Sequence, residues 1–593
     1  MKLRTAFCAA LLFFLIVPVF AAESYPVKVE RNVEVKMRDG VILRGDIFRP
    51  DAEGRFPVLL ERTPYRRSIP WGYEVDFAQR AASRGYVVFL QDVRGRYTSD
   101  GEWYPFIHEA EDGYDTIEWV AAQPYSNGKV GMFGGSYVGA TQMLAAIAHP
   151  PHLAGICPVV TASNYHDGWT YQGGAFEQWF DQSWTTGLAE DTLLHQIERA
   201  PRTMEATSVL PLTQYPIFNT SPSTVVNGTA AVVAPYYLDW LAHPSYDDYW
   251  KRVSIEEHFG DIRVPALHTG AWYDIFLGGS LHNYLGIKAN GGSEEARKGQ
   301  KLLVVIGGHA GGGRKIGEVD YGPEALKHEE SDVTLEWYDY LFKGVQNNFA
   351  TGRPVKIFVM GLNQWRDEED WPLARAKPTK YYLHSNGAAN SVKGSGALST
   401  STPAKEPSDK FTYDPSNPAP TIGGPLCCDS DHLAPGPRDQ RKVEERPDVL
   451  VYSTPALEHD LEVTGPVKLE FFASSSAVDT DFTAKLVDVY PDGTAINLTE
   501  GILRARYRDS QEKPTVLTPG QVYPLTIDLW ATSNVFKAGH RIRLEVSSSN
   551  FPRFDRNLNT GEPAASSEKT ATATNTILHD KEHPSGLVLP VIP

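Results

Sequence analysis

A serine set among glycines, GMFGGSYVGA at residues 131–140, follows an apolar run and precedes an alanine-rich stretch of helical period. A strand that ends in a tight glycine turn and passes at once into a helix holds a hydroxyl clear of the backbone, the setting a serine nucleophile needs. Gly134 stands two residues before Ser136, as such turns require, but Val138 occupies the position two residues after it and the next glycine is Gly139. A hydroxyl is a weak nucleophile, so a base and a group to orient that base must accompany it. Downstream, Asp274 in VPALHTGAWYDIF and His309 in LLVVIGGHAGGG each follow an apolar run. Taken singly, Asp274 also suits a helix cap and His309 a loop position bonded to backbone; their order after the serine favours the joint catalytic reading. The oxygen that becomes negative during acyl transfer needs donors. The backbone N–H of Tyr137 supplies one by the geometry of the turn, and Tyr65 in LLERTPYRR lies where a second should come from.

These groups need a scaffold that delivers several loops to one place. Short, nearly continuous apolar runs such as YVVFLQDVRG, GKVGMFGGSY, HLAGICPVV and KLLVVIGGHAGG alternate with helical patterns such as AEDGYDTIEWVAAQPY. Strands buried on both faces and separated by helices predict a parallel sheet covered on both sides, an α/β fold. Ahead of it, VKVERNVEVKMRDGVILRGDIFRP alternates with period two about Asp39-Gly40 and predicts a β-hairpin. Residues 162–260 change to aromatic-rich helical text, which predicts a helical cap inserted between sheet strands. From residue 353 helical period all but vanishes, and TGPVKLEFFASS, AKLVDVYPDGTAINLTE and HRIRLEVSSSNFPRF predict an all-β jelly roll or sandwich. The predicted division is a leader over 1–21, the sheet domain over 22–161 and 261–352, the cap over 162–260 and the β domain over 353–593.

A chain of 593 residues is too long for a single core. Its start, MKLRTAFCAALLFFLIVPVFAAES, has early cations, an apolar run short for a bilayer span and interrupted by Pro18, and small residues suited to cleavage after Ala21. This predicts a cleaved signal, a secreted or periplasmic protein, and no membrane partner afterwards. The net charge of −17 and the lack of a basic patch argue against nucleic acid. Beyond the leader stand Cys157, Cys427 and Cys428, whose spacing builds no zinc site. The adjacent pair either closes on itself or stays as small buried residues. No metal or cofactor is implied.

The set GGSYVG, RTPYRR, QDVRGRYTSDGEW and GAWYDIF, with the all-β C-terminus, resembles the CocE/NonD hydrolases, a group that includes cocaine esterase, α-amino acid ester hydrolases, glutaryl acylases and Xaa-Pro dipeptidyl-peptidases. The resemblance covers essentially the whole mature chain. It implies an α/β-hydrolase sheet with an inserted helical cap and a C-terminal jelly roll, Ser136 and Tyr137 at the elbow, Asp274 as the acid, and Tyr65 donating through its phenol hydroxyl. It also implies Asp92 and Arg94 as structural partners. The family usually carries its histidine in a Gly-Pro-Trp-x-His loop, whereas IGGHAGGGR lacks Pro-Trp and is one residue shorter. Trp169, Phe176, Trp179 and Phe180 are the candidates for an apolar acyl pocket, although aromatics at helical spacing, Trp184 among them, are more often core. Asp167, Glu177 and Asp181 are candidates for an ammonium site, with solvated carboxylates as the safer reading. The expectation is a serine hydrolase acting on a small-molecule ester or amide. Alternatives are an Xaa-Pro dipeptidyl-peptidase, a β-lactam or glutaryl acylase, and a non-catalytic carbohydrate-binding protein with a decayed triad. The sequence leaves the oligomeric state open, a homo-oligomer included.

Overall fold

The computed structural model describes residues 24–67, 73–195, 210–214, 233–309, 311–347 and 351–593. The leader expected over 1–21 lies outside them. No described helix is long and apolar enough to cross a membrane.

The hairpin about Asp39-Gly40 forms as expected: Val27–Lys36 pairs antiparallel with Ile42–Pro50, and Gly40 turns with φ 94°. It edges a sheet whose next strands in space are Val87–Asp92, Phe56–Thr63, Ser126–Gly135, Leu153–Val159, Ala266–Tyr273 and Gln300–Gly308. From Val87–Asp92 onward these pair in parallel. Val87–Asp92 and Ala266–Tyr273 are buried at every position, as strands covered on both faces must be. Helices Glu109–Ala121 and Tyr137–Ile147 cover one face through Ile117, Val120, Met143 and Leu144. Helices Tyr73–Ser83 and Glu330–Lys343 cover the other through Phe77, Ala81, Trp337 and Tyr338.

The sheet runs past the division expected at residue 353. Val355–Val359 adds in parallel to Gln300–Gly308, and Gln364–Glu368 pairs antiparallel with it. A period-two run reads the same whichever sheet it joins, so the sequence pattern could not assign these strands. A second sheet begins at Lys377–His384 and is almost wholly antiparallel, with its longest pairing between Leu461–Ser475 and Tyr523–Phe536. A turn at Asp492-Gly493 joins Asp481–Val489 to Ala495–Arg504 in an antiparallel pair.

In the interval 162–260 the described chain holds the two-residue strands Tyr171–Gln172 and Ala175–Phe176, the helices Gln178–His195, Pro235–Ala242 and Asp248–Lys251, and a 3-10 segment Ile255–Asp261. It meets the second sheet closely. Arg504 N donates to Gly173 O at 2.8 Å, Phe176 N donates to Asp555 Oδ1 at 2.8 Å, and a Cβ on Gly173 would lie 2.0 Å from Ile502 O. Cys427 and Cys428 are bonded to each other, and Cys157 is free and buried.

Candidate active site

Ser136 occupies the junction between strand Ser126–Gly135 and helix Tyr137–Ile147 with φ 61° and ψ −128°, a conformation costly for a residue with a side chain. Its neighbours make that turn feasible. Gly134 has φ 115°, and a Cβ there would come within 2.4 Å of Val138 Cγ1. A Cβ on Gly139 would lie 2.8 Å from Thr161 Cβ, so the glycine three residues after the serine is the one that lets the helix cross the next strand closely. Gln142 fastens the turn: its Nε2 donates to Gly134 O and its Oε1 accepts from Cys157 N, both at 2.9 Å.

Asp274 follows the buried strand Ala266–Tyr273 and has no exposure. Its carboxylate serves both readings raised by the sequence: Oδ1 accepts from Phe276 N at 2.7 Å, just ahead of helix Leu277–Asn290, and Oδ2 lies 2.7 Å from His309 Nδ1. His309 follows strand Gln300–Gly308, and its Nε2 lies 2.8 Å from Ser136 Oγ. A carboxylate only accepts, so Nδ1 carries the hydrogen and the Nε2 lone pair faces the serine hydroxyl. The short histidine loop turns back as a glycine hairpin, Gly307 and Gly308 pairing with Gly312 and Gly311, and Phe276 packs edge-on against the imidazole at 5.1 Å.

Tyr65 lies on the loop after strand Phe56–Thr63, with its hydroxyl 3.5 Å from Ser136 Oγ. Trp184 Nε1 donates to the phenol oxygen at 3.0 Å, and the Tyr137 N–H bonds it as well. Burial raises the Tyr65 phenol above its ordinary range against the pull of these bonds, which keeps its proton in place as a donor. The Tyr137 side chain is engaged elsewhere: its oxygen accepts from Phe106 N at 2.7 Å and donates to Glu109 at 3.0 Å. What Tyr137 offers the site is its backbone.

A cavity of about 920 Å³ opens on Ser136, His309 and Tyr65, with Trp184, Leu188 and Cys428 on its wall. Trp169, Phe176, Trp179 and Phe180 are not among its lining residues, which corrects their expected role. Trp169 stacks on Phe276 at 4.4 Å, Phe180 packs against both, Phe176 lies against Tyr171 at 5.4 Å, and Trp179 is fully buried. Helix Gln178–His195 is buried around most of its circumference, so spacing alone did not tell which aromatic faces the cavity. Asp167, Glu177 and Asp181 are absent from the lining too: Asp167 accepts from Gly173 N at 2.9 Å, Glu177 lies 3.3 Å from Arg553, and Asp181 is wholly buried. Asp92 and Arg94 have separate partners. Asp92 takes Arg67, and Arg94 bridges Asp112 and Asp39 at 2.6 and 2.7 Å. The lining instead includes Glu61, Glu74 and Glu330, which sequence reading missed. A glutamate inside the apolar run FPVLLERT was the available signal. Among the described residues no group of three or more His, Cys, Asp or Glu is placed to hold a metal ion.

Comparison with known proteins finds relatives over nearly the whole chain. The model of the X-Pro dipeptidyl-peptidase (S15 family) matches residues 39–311, and that of the X-Pro dipeptidyl-peptidase C-terminal non-catalytic domain matches 347–588. Cocaine esterase from Rhodococcus sp. (strain MB1 Bresler) is 39% identical, covering 95% of this chain and 98% of its own. Among solved structures, an aminopeptidase from the marine sediment archaeon Thaumarchaeota archaeon is 25% identical with a TM-score of 0.81, covering 99% of each chain. An α-amino acid ester hydrolase is 25% identical with a TM-score of 0.78, covering 98% of this chain and 100% of its own. Matched to an esterase from end to end and to these hydrolases in fold, the chain belongs to the CocE/NonD family of hydrolases.

Proposed function

We propose that the protein is an exported serine hydrolase that cleaves an ester or amide of a small or medium carboxylic acid through an acyl-enzyme on Ser136. The observation that carries this is the unbroken chain from Ser136 Oγ to His309 Nε2 at 2.8 Å and from His309 Nδ1 to Asp274 Oδ2 at 2.7 Å. Ser136 Oγ attacks the carbonyl carbon as His309 takes its proton, and Asp274 steadies the imidazolium. The oxyanion accepts from the Tyr65 hydroxyl and the Tyr137 N–H, and its collapse expels the leaving group, which takes the proton from His309. Water then repeats the sequence against the acyl-serine and frees the acid. The helical interval 162–260 acts as a cap that supplies Trp184 to the wall, and the C-terminal sheet is a jelly roll that holds that cap. Residues 1–21 are a signal cut after Ala21, which N-terminal sequencing of the exported protein tests.

The first experiment is hydrolysis of p-nitrophenyl acetate and butyrate by the mature protein beside Ser136→Ala and His309→Ala. Both variants should lose roughly three or more orders of magnitude in kcat. Tyr65→Phe should lose about 10²- to 10³-fold, the effect of removing one oxyanion donor. Full activity in His309→Ala would overturn the assignment. Xaa-Pro p-nitroanilides in the same assay separate ester cleavage from the dipeptidyl-peptidase activity that the names of its matched models carry.

A further inference from the structure

A loop of the C-terminal half carries the Cys427–Cys428 bond to the catalytic cavity. Gly424 N donates to Gly436 O at 2.8 Å and Gly436 N donates to Gly424 O at 2.9 Å, which closes the residues between them into a loop. Its base is fixed further where Thr421 N donates to Phe551 O at 2.7 Å and Gln440 Nε2 donates to Ile422 O at 2.8 Å. Leu426 is buried, and Cys427 is half-buried against the core that includes Tyr137 and Trp184. Cys428 is exposed and lines the cavity that holds Ser136. The hold on the tip is slight: Ser183, on helix Gln178–His195, shares one hydroxyl proton between Phe180 O at 3.1 Å and Cys427 O at 3.3 Å.

A disulfide stabilises a fold chiefly by closing a long loop in the unfolded chain, and a bond between neighbours closes none. What this bond fixes is local. Cys428 has φ 115°, a conformation costly for a residue with a side chain, and the small ring made by joining adjacent cysteines leaves its backbone little freedom to depart from it. Among the described residues Cys157 is the one other cysteine, free and buried, so this is the bond on which a reductant acts.

We propose that the Cys427–Cys428 disulfide is a site of reversible thiol exchange, opened by small dithiols that enter the cavity, and that its state sets which esters the cavity accepts. The proposal rests on the hydrolase reading for its consequence and not for the exchange itself. A thiolate of the dithiol attacks the exposed Cys428 Sγ, the sulfur–sulfur bond breaks, and Cys427 leaves as the thiolate. The second sulfur of the reagent then displaces Cys428 from the mixed disulfide, and the reagent departs as a cyclic disulfide. Its two electrons and two protons end on the two cysteines. Cys428 is then released from its costly backbone angle, and the tip shifts on a fixed base. The apolar sulfur surface gives way to two separate, mobile thiols. A large acyl group resting on that wall loses contact, whereas an acetyl group fills little of a cavity of about 920 Å³. Oxidising surroundings, which an exported protein meets, keep the bond closed, and reducing ones open it.

The test compares p-nitrophenyl 4-phenylbutyrate with p-nitrophenyl acetate. The mature protein is assayed untreated, after dithiothreitol and desalting under argon, and again after reoxidation with oxidised glutathione. Thiol titration of the folded protein should find both cysteines as new thiols after reduction and neither after reoxidation. On reduction kcat/KM for the phenylbutyrate should fall about tenfold relative to the acetate, through KM, and recover on reoxidation. Cys427→Ser combined with Cys428→Ser should hold the ratio of the reduced protein with or without the reagent, which separates opening of this bond from other effects of the dithiol. If that variant fails to fold, the reduced and reoxidised wild type carries the comparison. Calorimetric titration of both forms with 4-phenylbutanamide needs no turnover. Amide binding that reduction weakens supports the site even if no ester is cleaved, in which case the hydrolase reading alone falls. A bond that the dithiol leaves closed in the folded protein overturns the proposal. So does an ester ratio unchanged by its opening or, where no ester is cleaved, amide binding that is absent or unchanged.

Discussion

Buried carboxyls in this molecule are oppositely served. Between the helical interval and the second sheet, Arg553 reaches Glu500 at 2.6 Å and Glu177 at 3.3 Å, and Arg504 reaches Asp481 at 2.9 Å and Asp555 at 2.8 Å. Burial still dominates there, pushing Glu177 up to about 7 and Asp481 to about 6 against the pull of the arginines. Beneath the elbow, Glu61 is raised well above the carboxylate range by burial, with Glu74 and Glu330 adding repulsion and no arginine opposing it. Asp274 is a third case, wholly buried but given His309 and one backbone N–H. Depth alone therefore says little about the purpose of a buried acid. Its partner says whether it joins two elements, faces an imidazole or stands with an oxygen unbonded.

Removing one atom's worth of charge from each kind should sort them. Asp274→Asn should produce the largest change, a fall in kcat of about 10⁴-fold with the fold intact, because an amide no longer fixes the tautomer that presents the Nε2 lone pair to the serine. Steady-state rates beside a melting curve check both halves of that statement. Arg553→Met strands Glu177 and Glu500 in the interior and should cost about 3–5 kcal/mol in urea unfolding. Glu61→Gln, equally buried, should change the same unfolding free energy by under about 1 kcal/mol, since no native pair is broken. A large loss there would mean that Glu61 has a structural partner and would erase the contrast. A further contrast is in the pH dependence of Glu330, which burial first of all lifts from about 4.5 to about 7, with Tyr73 opposing and Glu74 and Glu329 adding to the rise. A carboxyl raised on folding stabilises fully below its unfolded value and loses that contribution as pH climbs through the folded one. The stability of the wild type relative to Glu330→Gln should therefore decline between about pH 4.5 and 7, measured by denaturant midpoints across that range.

How much of this could be read in advance depended on whether the signal was local. Ser136 was legible because a strained turn requires glycines within three residues of it, and the parallel strands were legible because burial on both faces leaves continuous apolar text. Asp274 and His309 could be placed on strand ends, while the distance between them depends on the neighbouring strands pairing in register. The aromatic helix misled because a helix packed on nearly every side has no distinctive stripe, so Trp184 could not be told from Trp179. The strands at Val355–Val359 and Gln364–Glu368 looked like part of the β domain because period two carries no address. Glu61 was overlooked for the converse reason: a charged letter in an apolar run has no meaning until the missing counter-ion can be seen.

The Arg553 to Glu177 pair spans 376 positions of sequence, and the bond from Phe176 N to Asp555 spans 379. At about 5–20 residues per second of synthesis, Glu177 leaves the ribosome roughly 20–75 s before the arginine that will neutralise it. During that interval Asp274 and His309 are added to a chain that already holds Ser136, while Glu177 still lacks its arginine. Assembly of the wall must wait for the last segment to be translated, so a stop codon late in the gene would remove the fastening that the first half has been waiting for.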